Sequence, residues 1–272
     1  MAGDIAEKRM WRADPHTHSV RSDGIKTWEE QAILAKNARL GLYGRTDHDV
    51  WAQEHTPSDD TSYLRGVEVS SREGHVLVYA PTGIKPVEFK IATPMTEVVK
   101  QANGEGLVVG LAHLGFFLPP GSASVQEARR ITDKGMHIDF IEAGHPMLSA
   151  RNLRKAGAIA SEIGAAVTGS SDDHLGNIGR SFTTVFPRET DDPEKDFFSA
   201  IAARTTRVIE PEGKNPEASV SPVVRLRRVF FSLFNDKSAI KITNGHKFLG
   251  AFAKGAMERA VWEIGEGRTY GK

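Results

Sequence analysis

Apolar and polar positions along this chain change period repeatedly, from short extended runs to helical stripes and back. Met10 to Ala13 opens as a strand, and Thr27-Trp28-Glu29-Glu30 then supplies a Thr-x-x-Glu capping box for a helix reaching about Leu40, with Gly41 as its stop. Further strands are expected at Leu42 to Arg45, Gly66 to Val69, Val76 to Ala80, Leu107 to Leu111, Ile138 to Ala143, Ala165 to Thr168, Phe182 to Phe186 and Arg207 to Glu210. Between them, Thr96 to Asn103, Ser124 to Asp133, Ser149 to Ile163 and Pro193 to Ala203 read as helices. Strands alternating with helices predict an α/β protein built on parallel strands.

The pattern shifts near Pro211, so residues 1–212 are expected to form one domain and 213–272 a basic helical extension. From Ser221 onward ten Lys/Arg face four Asp/Glu, and Val223, Leu226, Phe230 and Leu233 mark one helix face flanked by Arg225, Arg227 and Arg228. Packing on the first domain or homo-oligomerisation is the expected use of that face. A membrane surface or an acidic partner is the alternative.

Candidate chemistry gathers in five patches, each expected where a strand runs out into a loop. They are Asp14-Pro15-His16-Thr17-His18 with Asp23, Thr46-Asp47-His48-Asp49, Glu68 with His75, Ala112-His113, and Ser171-Asp172-Asp173-His174. Imidazole and carboxylate suit Zn, Mn and Fe, and a His-x-His pair on an extended segment turns both rings to one side. A lone histidine is more often a hydrogen-bonded structural residue. In a barrel of parallel strands, however, the carboxyl ends of different strands converge on one mouth, where separate patches become neighbours.

Those motifs, in this order and at this spacing, resemble the PHP (polymerase and histidinol phosphatase) domain over about residues 10–210. The resemblance implies a distorted (β/α)7 barrel carrying two or three divalent metals (Mn, Zn or Fe) and hydrolysing phosphoesters. Carried over position by position, it implies that His16, His18, Glu68 and Asp172 hold one metal. Glu68 would bridge to a second metal completed by His75 and His113, and Asp23, His48 and His174 would hold a third. His48, Asp172 and His174 are the ligands expected to act in catalysis. Asp47 is expected to orient a ligating imidazole.

Substrate phosphate calls for arginine, whose planar fork binds two oxygens at once. Arg180 is the first candidate, followed by Arg45, which stands where the family has an aliphatic residue and is either ion-paired or aimed at substrate. His145 either caps its loop or touches substrate, and Glu142 is a comparable candidate. His55, His137 and His246 read as surface or structural residues.

Composition adds bounds. Basic and acidic residues number 35 each, which gives no global pull toward nucleic acid, and no apolar run approaches the roughly 20 residues of a membrane span. The charged amino terminus lacks an apolar leader core, so a cytoplasmic protein is expected. With no cysteine, metals must rest on N and O donors. The expected substrate is a small phosphorylated metabolite, nucleotide or sugar phosphate. The alternatives are hydrolysis of an amide, ester or carbamate, and a metal-stabilised binding module.

Overall fold

The computed structural model describes residues 10–53, 61–115 and 122–210. The expected extension at 213–272, together with His55 and His246, lies outside the described residues. Among the described residues the strands are β1 (Met10–Asp14), β2 (Leu42–Arg45), β3 (Ser62–Ser71), β4 (Gly74–Tyr79), β5 (Val108–Leu111), β6 (Phe140–Gly144), β7 (Ala166–Gly169), β8 (Thr183–Pro187) and β9 (Arg207–Ile209). The helices are α1 (Trp28–Asn37), α2 (Met95–Gly104), α3 (Val125–Asp133), α4 (Ala150–Ile163) and α5 (Pro193–Ala203).

All nine strands join one sheet, in the order β7-β6-β5-β4-β3-β2-β1-β8-β9. β1, β2, β3, β5, β6, β7 and β9 point the same way, while β4 and β8 run against them. Side chains bridge the seam between the sheet's two ends. The Thr184 hydroxyl accepts from the Gly169 N–H and donates to the Gly169 carbonyl (2.9 Å each), and Thr206 donates to the Val167 carbonyl (2.6 Å). The closely approaching Val208 leaves no room for a Cβ at Gly144 or Gly169. The result is the expected distorted barrel, nearly closed.

Helix starts follow local chemistry. Both halves of the Thr27–Glu30 capping box form, and Ser124, Ser149 and Asp192 each accept an N–H from the first turn they precede. α1 ends at Asn37, three residues before the expected Leu40, with Arg39 in the left-handed region (φ 56°). Gly41 serves packing instead: a Cβ there would overlap the Trp11 ring.

The two faces of the sheet bury different cores. Outside, Val67, Val69, Val76, Val78, Leu111 and Ile141 pack under α2, α3 and α4. Inside, Ala13, Leu42, Leu64, Leu77, Tyr79, Phe140 and Phe186 fill the barrel, and α5 adds Phe197, Ala200 and Ile201. Burying each large side chain contributes roughly 1.5–3 kcal/mol. This apolar filling stops short of the carboxyl ends of the like-directed strands, where the interior turns polar.

Candidate metal centre

β1 delivers His16 and His18 as it leaves the sheet. A Cβ at Gly44 would collide with the Pro15 carbonyl, so a glycine on β2 lets this turn press close. Asp47 then ties the turn down: it accepts from the Ser19 N–H (2.7 Å), the Ser19 and Ser22 hydroxyls (2.7 and 2.6 Å) and Trp28 Nε1 (3.0 Å). It therefore holds the ligand loop, and reaches an imidazole only through Ser22, whose hydroxyl lies 3.5 Å from His18 Nδ1.

Glu68 departs from the strand-end expectation, since it lies inside the long β3. β4 runs antiparallel, so its start rather than its end reaches the mouth, and it places His75 opposite Ser70 on the face that carries Glu68. His113 follows β5, and Asp172 and His174 follow β7. His113 (φ 29°) and Asp172 (φ 49°) occupy left-handed backbone that non-glycine residues enter at a cost of about 1–3 kcal/mol each.

The side chains converge. His16 Nε2 and His18 Nε2 are 3.0 Å apart, lie 3.2 and 3.1 Å from Glu68 Oε2, and lie 3.3 and 3.0 Å from Asp172 Oδ1. Four donors at 2.0–2.1 Å around a tetrahedral ion would be about 3.3–3.4 Å from one another, so the spacing suits a divalent cation. The other Glu68 oxygen, Oε1, lies 3.0 Å from His75 Nδ1 and 3.1 Å from His113 Nε2. Asp23 Oδ2 lies 3.1 Å from His174 Nε2 and 3.7 Å from His48 Nε2, and Asp23 Oδ1 lies 3.6 Å from His18 Nδ1.

Three groups could each hold an ion among the described residues: His16, His18, Glu68 and Asp172; His18, Asp23, His48 and His174; and His48, Glu68 and His75. The first matches the expected set. His48 reaches two groups rather than one, with Nδ1 lying 3.2 Å from Glu68 Oε2.

A second observation tests the fit. Asp23 Oδ2, His48 Nδ1, Glu68 Oε2, Asp172 Oδ1 and His174 Nε2 are buried and make no hydrogen bond, although each faces others of the set. The His174 tautomer sharpens this: Nδ1–H donates to the Asp172 carbonyl (2.8 Å), which leaves an Nε2 lone pair pointed at the Asp23 carboxylate. Lone pairs face each other at this distance only when a proton or a cation lies between them. Without a metal, protons would fill these gaps. Burial pushes Glu68 and Asp172 up, but the facing imidazoles outweigh it and hold both well below the usual carboxylate range. Burial likewise pushes His16 and His18 down, and the carboxylates hold both well above the usual imidazole value. His174 rises to about 9 against its burial, chiefly through Asp23. Metal ions would displace these protons.

Beyond the donors stands a layer of supporting side chains. His145 is buried, not open to substrate: its Nδ1 accepts from the Met147 N–H (3.2 Å), so its Nε2–H donates to Asp172 Oδ2 (3.1 Å). Glu142, the comparable candidate, is fully buried, and its Oε1 lies 3.1 Å from His16 Nδ1. Arg45 is corrected as well. Alternation along β2 turns Tyr43 and Arg45 outward, and the Arg45 guanidinium sits 3.9 Å from the Tyr63 ring centroid and 5.0 Å from that of Trp28 while donating to the Tyr43 hydroxyl (2.8 and 2.6 Å). Arg180 is exposed, and its side chain takes no partner among the described residues. His137 lies at the surface with Nε2 3.1 Å from Asp139, as expected.

Comparisons with known proteins bear on the fold and on one segment of the chain. The family described as PHP-associated matches residues 150–206, from α4 through the Asp172 and His174 motif to α5. No curated protein matches the chain. Among solved structures, PsfC from Pseudomonas syringae is 16% identical, with a TM-score of 0.58 over 82% of this chain and 99% of its own. A two-domain Bacteroides vulgatus protein containing a predicted PHP-like metal-dependent phosphoesterase is 19% identical, with a TM-score of 0.57 over 75% of this chain; the chain spans 65% of its length. The lesion-specific endonuclease EndoQ from Pyrococcus furiosus is 20% identical, with a TM-score of 0.54 over 73% of this chain and 57% of its own. Among the described residues, no helix is long and apolar enough to cross a membrane. The ligand motifs in order, the PHP-associated segment and the shared fold together make this chain similar to PHP-domain proteins.

Proposed function

We propose that the chain is a metal-dependent phosphoesterase acting on a small phosphorylated metabolite, nucleotide or sugar phosphate. One observation carries the reading: buried Glu68 faces separate imidazole groups with its two oxygens, as a carboxylate shared by neighbouring cations would. Alone, Glu68, Asp172 and Asp23 would repel an anionic ester. Divalent ions, with Mn, Zn and Fe suited to these donors, reverse that charge and supply a water that ionises near pH 7.

His16, His18, Glu68 and Asp172 would hold one ion, Glu68 with His75 and His113 a second, and Asp23, His48 and His174 a third. The surrounding structure holds His113 and Asp172 in strained backbone, and this fixes where their donors point. Arg180 is the residue we assign to the outer phosphate oxygens, because its guanidinium remains free among the described residues.

The test loads the protein with Mn or Zn and measures hydrolysis of an aryl phosphate, an aryl ester and a single-stranded oligonucleotide. The reading expects phosphate hydrolysis rising toward neutral pH and abolished by Asp172→Asn. Activity on esters with none on phosphates would move the protein to carbon-centred hydrolysis. Cleavage of the oligonucleotide with no release from small phosphates would move the substrate to nucleic acid, the substrate of the endonuclease relative.

A further inference from the structure

β6 gives no ligand to the proposed metal set, yet its end carries a buried carboxylate hydrogen-bonded to two residues of that set. Glu142 Oε1 takes the His16 Nδ1 contact (3.1 Å) and accepts from the Ser170 hydroxyl, while Oε2 accepts from the backbone N–H of His113 (2.6 Å). Three features of this arrangement point beyond simple packing. His16 Nδ1 is fixed as the proton-bearing nitrogen, because a carboxylate can only accept, and this leaves the Nε2 lone pair directed at His18, Glu68 and Asp172. His113 is the ligand with a left-handed backbone at φ 29°, and the Glu142 bond holds its N–H there. Ser170, two residues before Asp172, is held by the same carboxylate.

We infer that Glu142 is a positioning residue that sets metal affinity at two positions at once, the one holding His16 and Asp172 and the one completed by His113. This rests on the metal-dependent reading above. Glu68 links those two positions from the ligand side, and Glu142 links them from behind. The position built on Asp23, His48 and His174 has no bond to Glu142 and falls outside its reach.

Substitution separates this role from a merely filled space. Glu142→Gln keeps the shape but replaces one acceptor oxygen with an NH2 group, so either His16 or His113 must face a donor with a donor. Glu142→Asp keeps both acceptor oxygens one methylene short. Titration of metal-stripped protein with Zn, read by competition with a chromogenic chelator, should show the tight sites of Glu142→Gln weakened about 10–100-fold, the usual effect of losing such a partner. The aspartate variant should recover part of that loss, and the weakening should spare one class of sites. Glu142→Gln binding Zn as the wild type does would overturn the inference. So would equal weakening of every site in a variant that remains folded by circular dichroism.

A measurement on the unaltered protein stands even if the variants fail to fold. In Zn-loaded protein labelled with 15N-histidine, the His16 ring should carry its proton on Nδ1 and metal on Nε2. Metal on Nδ1 refutes the role of Glu142 outright. Failure of the wild type to bind Zn at all would instead refute the metal-dependent reading.

Discussion

The two ends of the barrel interior are opposite in chemistry. On β6, Phe140 and Glu142 share one face two residues apart, and both are fully buried. Phe140 stacks on Tyr79 with centroids 5.6 Å apart and so close to β5 that a Cβ at Gly110 would overlap its ring. Glu142 holds the apparatus of the mouth. The lower half derives its stability from removing apolar surface from water. The upper half consists of charges whose burial is favourable only when opposite charge, from protons or metal, occupies the same space. The strand serves both ends, and the residue type at each inward position decides which energy term acts there.

The largest expected effect breaks the mouth and spares the lower half. Glu68→Gln should lose most of its bound transition metal and drop to background activity, and in chelator it should also lose stability because the facing imidazoles lose their counter-charge. Full metal content in that variant would disprove the sharing of Glu68 between groups. Phe140→Ala reverses the pattern: a loss of about 3–5 kcal/mol in denaturant unfolding is expected, with the folded fraction still binding metal at wild-type affinity. A parallel fall in metal affinity would show that the two ends are energetically coupled.

Acidity sharpens the comparison next. In metal-free protein, folding raises His174 to about 9, above the ordinary histidine value near 6.5. Its stabilising contribution is therefore complete below about 6.5 and is lost as pH rises through about 9. Thermal stability of the chelated protein should fall over that window, while Zn-loaded protein, its imidazoles already deprotonated, should hold steady across it. Coincident profiles would count against metal replacing protons. The smallest effect is expected at the corrected arginine. Arg45→Lys keeps the charge but loses planar stacking, so a loss of about 1–2 kcal/mol in stability with an unchanged Michaelis constant is expected. A raised Michaelis constant at unchanged stability would return Arg45 to the substrate.

Much of the mouth was legible because strand ends in a barrel share one exit, so residue type at the end of an apolar run carries spatial meaning. His16, His18, His48, His113, Asp172 and His174 all obey that rule. Glu68 and His75 reach the mouth differently: Glu68 sits inside the long β3, and His75 lies at the start of β4, a reversed strand that the apolar pattern cannot distinguish from a forward one. The direction of Arg45 was hidden for another reason. β2 is buried on both faces, so no alternation of polar and apolar residues marks inside from outside. The roles of Glu142 and His145 depend on which ring nitrogen faces which oxygen, and residue spacing says nothing about that.

The reversed strand also orders events in time. Glu68 and His75 belong to a single hairpin, with Ser70 opposite His75 in the register. Hairpins close in roughly 1–10 μs, and at ordinary synthesis rates on the order of 10 s separates this hairpin from the arrival of Asp172 and His174. The two donors thus share a hairpin that is synthesised long before the barrel can close, and an ion captured there would stabilise an otherwise marginal hairpin as a template for the strands still to come. Refolding with Zn present should then protect the β3–β4 amides from hydrogen exchange ahead of β7, and simultaneous protection would leave the hairpin no such priority.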